Sequence, residues 1–178
     1  MVMVRLTPQE MDECIRAGKH RFYSSRDAKI VNQLQCQHTH EESPVRDIQG
    51  IKAEFAVAKL FNIKLNTFQL GADNGIDLWI DDFSVDVKAT AYKPDGKNQP
   101  HFLIMNTKTL KADIGILGII GEEEDANEVD VFGWTTKAIW EKEKKPWPMN
   151  PKDNCLEAWR LLAIHKLWES QMKKRFNK

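Results

Sequence analysis

Apolar positions recur along the chain first at helical spacing, then in short runs and alternations, then at helical spacing again. "TPQE" at 7–10 reads as a helix start, with Thr7 as N-cap, Pro8 at the first helical position and Glu10 closing a capping box, and it predicts a helix to about Ala17. "SRDAKIVNQLQ" predicts a second helix, and the polar, proline-containing "HTHEESPVRD" predicts a loop. "IQGIKAEFAVAKLFN" predicts a strong helix in which Ile51, Phe55, Ala58 and Phe61 or Ile63 form the buried stripe. Glu54 falls on that stripe beside Phe55, which places a carboxylate on the inner face. Strands follow: the two apolar stretches of "GIDLWIDDFSVDVKAT", then "HFLIMN", "DIGILGIIG" and "VDVFGWTT", all rich in β-branched or aromatic residues. "TTKAIWEKEKK" predicts a helix with Trp140 inward, "PWPMNP" a proline-broken loop, and "LEAWRLLAIHKLWESQMKKRF" a mostly helical end. The order of helices, strands and helices implies an α/β (α+β) fold whose central mixed sheet of about five strands is flanked by helices.

The stretch "GIDLWIDDFSVDVKAT" also carries charge where strands are expected. With Asp81 and Asp82 as a hairpin turn, Ile80 pairs with Phe83, Trp79 with Ser84, Leu78 with Val85, and Asp77 with Asp86. Opposed residues share a face, and period-two alternation adds Lys88 and Thr90 to the same row. Two carboxylates about 5 Å apart repel by about 3 kcal/mol at an effective dielectric near 20, and Glu54 arriving from the helix adds to this. A cation has to sit among them. Lys88 supplies one charge, and a hard divalent ion such as magnesium would supply the rest. The plainer alternative is a pair of edge-strand aspartates facing water, with Lys88 as a surface ion-pair partner.

A length of 178 residues suits one domain. Lys plus Arg and Asp plus Glu both number 26, so a nucleic-acid surface would have to come from local clustering rather than net charge. The run "IGILGII" is too short to span a bilayer and the start "MVMVRLTPQEMDE" lacks the pattern of a secretory leader, so a cytoplasmic location is expected. Three scattered cysteines, Cys14, Cys36 and Cys155, fit reduced packing thiols, and "CQHTH" lacks the second ligand pair a zinc site normally has. Arg16, Lys19, His20, Arg21, Arg26 and Lys29, interleaved with Phe22 and Tyr23, read as a solvated face or a basic arm. "GEEEDANE" reads as a solvated acidic turn, and Trp134, Trp140, Trp147, Trp159 and Trp168 read as core.

"GIKAEFAVAKLF", "GID" and "DVK" together resemble the PD-(D/E)XK phosphodiesterase superfamily of restriction-endonuclease-like nucleases over roughly residues 47–141. Ile76 stands where that family has proline, the acid before lysine is Asp86 rather than glutamate, and "TKTLKADIGILG" leaves little room for the family's usual helix. The resemblance implies a restriction-endonuclease-like core at 47–141, with helical extensions at 1–46 and 142–178. It also implies a magnesium- or manganese-dependent DNA nuclease. Asp77, Asp86 and the Val87 carbonyl would bind the metal, Glu54 a second ion or a bound water, and Lys88 would orient the attacking water, which would leave a 5′-phosphate. Cutting both strands would favour a homodimer. In "AYKPDGKNQPH", Lys93, Lys97, Asn98 and Gln99 suit phosphate contacts, with Thr90 on the adjoining strand and Lys108 and Lys111 on the same side, although a plain surface loop fits them nearly as well. The rival from another class is a non-catalytic DNA-binding or assembly module on the same fold.

Overall fold

Helix α1 (Pro8–Asp27) begins where its capping residues put it. In a computed structural model, which describes residues 1–27, 44–65, 75–92, 102–105, 110–121, 123–148 and 150–176, the Glu10 amide donates to Thr7 Oγ1 (3.3 Å) and the Thr7 amide to Glu10 Oε2 (2.7 Å). The helix does not stop at Ala17. Gly18 marks a close crossing rather than an end: a Cβ there would lie 2.6 Å from Ile48 Cα on helix α2 (Val45–Phe61). The expected second helix falls in residues 28–43, outside the described residues, as does the Cys36, His38 and His40 cluster.

Helix α2 is buried on most of its circumference because α1 covers one side and a sheet the other. That sheet contains β1 (Val2–Arg5), β2 (Leu78–Ile80), β3 (Phe83–Tyr92), β5 (Ile114–Gly121) and β6 (Glu128–Thr136) in the order β1-β6-β5-β3-β2, with β9 (Leu162–Ala163) added to β6. Only β3 and β5 run parallel, so the fold is mixed α+β. Gly118 on β5 lets α2 approach, since a Cβ there would meet Ala53 Cβ at 2.9 Å.

Three corrections concern the sheets. "HFLIMN" does form a strand, β4 (Phe102–Met105), but it joins a separate sheet of order β4-β8-β7 with β7 (Lys145–Trp147) and β8 (Asn150–Glu157). "PWPMNP" therefore belongs to a strand pair, which its prolines tolerate because β7 is an edge strand and Pro151 lies at the start of β8. The C-terminal helix, α4, starts only at Ile164 and follows a 3₁₀ turn at Ala158–Arg160, because Cys155 and Leu156 are claimed by pairing with β4. Segment 142–178 is thus part strand, and the N-terminal segment contributes β1 as well as helix.

Alternation along β3 divides the molecule. Val85 and Val87 join the core on the α2 side with Ile51, Val57 and Ile116. On the other side Leu117 of β5 joins a second core with Leu110, Leu156 and Trp140, the last on helix α3 (Lys137–Glu143). Trp134 and Trp147 are half-buried, whereas Trp159 is 70 % and Trp168 40 % exposed, so the expectation that all five tryptophans are core fails for these two. Trp159 instead lies beneath the Arg160 guanidinium, 4.4 Å from the ring centre.

Two bonded carboxylates make stability depend on acid. Burial pulls the Glu10 carboxyl upward, but hydrogen bonds from Lys59 and Thr7 outweigh it and hold the group below its ordinary value. Asp113 is held low by the Ser84 hydroxyl and amide. Both folded values lie below the unfolded ones, so the unfolded chain binds more protons and their stabilisation, complete above the unfolded range near about pH 4, is lost as pH falls through the folded values. Melting temperature should fall below about pH 4, and Asp113→Asn should make that fall shallower. An unchanged slope would refute the assignment.

Candidate functional site

The β2–β3 hairpin has the expected register, Leu78 opposite Val85, Trp79 opposite Ser84 and Ile80 opposite Phe83. Asp81 and Asp82 make the turn, and Asp81 takes φ +51°, a left-handed conformation that aspartate tolerates better than most residues. The ladder stops at Leu78, so the expected pairing of Asp77 with Asp86 is not part of it. Asp77 donates its amide to the Val85 carbonyl (2.8 Å), and its carboxylate accepts from the Val87 amide (2.6 Å). A side-chain oxygen thus takes the hydrogen bond that a longer β2 would have supplied with its backbone.

Next along β3, Lys88 Nζ lies 2.5 Å from Asp86 Oδ1. Asp86 is buried and Lys88 about one-third exposed, while Thr90 is half-buried further along the same row. Three neighbouring hydrogen bonds fix where β3 begins: Ser84 donates its amide (3.0 Å) and hydroxyl (2.7 Å) to Asp113, and the Asp113 amide donates back to Ser84 Oγ (3.0 Å). The parallel β3–β5 pair is clamped at that end.

Glu54 is buried, as its place on the apolar stripe predicts, but its partner is one the sequence reading passed over. Arg21 of α1 grips it with two parallel hydrogen bonds, Nη1 to Oε1 at 2.8 Å and Nη2 to Oε2 at 3.1 Å. Burial pulls the Arg21 guanidinium down, yet the Glu54 hydrogen bonds and the charges of Glu54, Asp77 and Asp47 outweigh it and raise its pKa. The signal was present: Met11, Cys14, Ala17, Gly18 and Arg21 fall at helical spacing on one side of α1, and the first four are buried. A helix ending at Ala17 hides the last member. Lys19 pairs with Glu124 at 3.3 Å on the surface, where both side chains stay about half exposed, so Arg16, Lys19 and His20 do form a solvated face and Arg21 is the member that turns inward.

The candidates therefore gather in two groups. Asp86, Lys88 and Thr90 occupy the face of β3 opposite Val85 and Val87, while Glu54 and Arg21 sit on the α2 side. Asp77 connects them, since its carboxylate holds the amide between Asp86 and Lys88 and its charge acts on Arg21. The donors of Asp77, Asp86, Glu54 and the Val87 carbonyl are all hard oxygens, the chemistry that suits magnesium or manganese. Among the described residues no three His, Cys, Asp or Glu side chains are gathered as a metal would gather them. Glu54 and Asp86 are matched by Arg21 and Lys88 instead.

Lys111 is exposed, and Lys93, Lys97, Asn98, Gln99, His101 and Lys108 lie outside the described residues. The acidic turn is less free than its composition suggests. Lys52, fully buried, reaches through to donate to the carbonyls of Glu124 (2.5 Å) and Ala126 (2.7 Å), and burial holds its pKa below the ordinary lysine value. Cys14 and Cys155 are buried free thiols, as expected, and desolvation pushes Cys14 up to about 12. No described helix is long and apolar enough to cross a membrane. Comparison of the chain with protein-family models, curated proteins and solved structures returned no match.

Proposed function

We propose that the protein is a metal-dependent nuclease that hydrolyses DNA phosphodiester bonds at the β3 edge. The observation that carries this reading is one acid and one cation flanking Val87 on β3, Asp86 and Lys88, with a second acid, Asp77 just ahead of β2, bonded to the Val87 amide between them. Asp77, Asp86 and the Val87 carbonyl would hold magnesium or manganese, and Glu54, on the α2 side, would take a second ion or a bound water. The ion would lower the pKa of a water and offset charge on the scissile phosphate. Lys88, partly exposed and tethered to Asp86, orients the attacking water by donating to it. Attack in line forms one O–P bond and breaks the bond to the 3′ oxygen, which leaves as a hydroxyl after taking a proton, and a 5′-phosphate remains. Two copies would be needed to cut both strands in concert.

A second reading, a DNA-binding or assembly module without catalysis on the same frame, is favoured by the matching of Glu54 and Asp86 with internal cations. One experiment separates the two. Purified protein with magnesium or manganese is offered linear, nicked, branched and single-stranded DNA. On the nuclease reading, cleavage falls at least about 100-fold in Asp86→Ala and in Lys88→Ala while DNA binding and the folded circular-dichroism spectrum persist. Undiminished cutting in both variants would sink the site assignment. Binding without cutting or manganese uptake would support the module. Either way, affinity should fall steeply with salt if the basic groups cluster at the site.

A further inference from the structure

Arg21 belongs to no motif of the nuclease reading, yet its contact with Glu54 is the most completely formed ion pair in the site: two hydrogen bonds on a carboxylate only 6 % exposed. The guanidinium donates one hydrogen bond from Nη1 to Oε1 and one from Nη2 to Oε2, the geometry in which both oxygens are engaged at once. A divalent cation beside Glu54 would need at least one of those oxygens. Two cations cannot hold the same buried carboxylate cheaply, because each would face the other's charge at short range in a poorly solvated place. Asp77 is near enough for its charge to act on Arg21 as well. The arginine is also one-third exposed and sits on α1, which packs chiefly against α2.

Building on the nuclease reading, we propose that Arg21 is the positioning residue of this site: it holds Glu54 on the inner face of α2 and competes with the divalent cation for it. Metal uptake at Glu54 then requires Arg21 to let go, and the affinity of the site for metal is set in part by an arginine on a different helix.

The proposal is tested by manganese titration calorimetry together with thermal melting, with and without manganese, on wild type, Arg21→Met, Arg21→Lys and the double variant Arg21→Met/Glu54→Gln. Without manganese, Arg21→Met should melt below wild type because a buried carboxylate has lost two charge-assisted hydrogen bonds. Manganese should bind Arg21→Met at least about tenfold more tightly than wild type and raise its melting temperature by more, since ligand binding stabilises in proportion to affinity. The gain should vanish in the double variant, whose residue 54 carries no charge. Arg21→Lys keeps the charge without the fork and should fall between; it carries the same comparison if Arg21→Met does not fold. A manganese affinity that ignores Arg21, or a gain that survives Glu54→Gln, overturns the role of Arg21 and leaves the metal site standing. Absence of manganese uptake in every variant, wild type included, overturns both.

Discussion

Trp140→Ala should lower the free energy of unfolding by about 3–5 kcal/mol, read as a fall in the denaturant midpoint. Trp140 is the largest fully buried side chain of the described residues, and it sits in the core that joins the main sheet, through Leu117, to β8 of the smaller sheet, through Leu156. Truncation removes that apolar contact and leaves a cavity which the walls, parts of two sheets, can close only by moving relative to each other. The indole nitrogen gives a sharper comparison. Trp140 Nε1 is buried and has no hydrogen-bond partner among the described residues, and such a donor costs about 1–3 kcal/mol. Trp140→Phe removes the unpaired donor and leaves a much smaller void, so the two effects partly cancel and the loss should be less than half that of Trp140→Ala. Equal losses would show that the second core tolerates repacking, and the assignment of Trp140 as its keystone would fail.

Gly18→Ala should destabilise by about 3 kcal/mol, even though alanine in a helix interior is ordinarily about 1 kcal/mol better than glycine. The sign turns on what the new methyl meets. Its Cβ would stand 2.6 Å from Ile48 Cα and 2.7 Å from Ile48 N, backbone atoms that no rotamer change moves aside. Helix α1 must therefore shift off α2, and Arg21, one turn further along α1, shifts with it away from Glu54. The loss should accordingly include part of the ion pair as well as the packing. A variant as stable as wild type would mean that the two helices can separate without penalty.

These two positions also show what sequence patterns convey. The capping box at Thr7 and Glu10, the stripe of α2 with Glu54 on it, and the hairpin register around Asp81 and Asp82 were all legible, because each is set by interactions within a few residues. The first helix was expected to end at about Ala17 but runs on to Asp27; Gly18, at that point, permits a close crossing, and such a glycine looks the same in sequence as one that ends a helix. Residues 156–163 fit a helix in sequence because a short apolar run fits both periods, and pairing of Leu156 and Glu157 with β4 and of Leu162 and Ala163 with β6 decided against it. Exposed Trp159 was misread for the same reason, since its burial depends on what lies across from it.

By itself, the sequence determined that Asp77, Asp86 and Lys88 sit along one short hairpin and that Glu54 points inward, since strand alternation and helical spacing act over a few residues. Only the tertiary structure decided their partners. Asp77 turned onto the Val87 amide because β2 ends there, and Glu54 met Arg21 because Gly18 lets α1 lie against α2. Such pairings join residues far apart in the chain, and only packing brings them within hydrogen-bond reach.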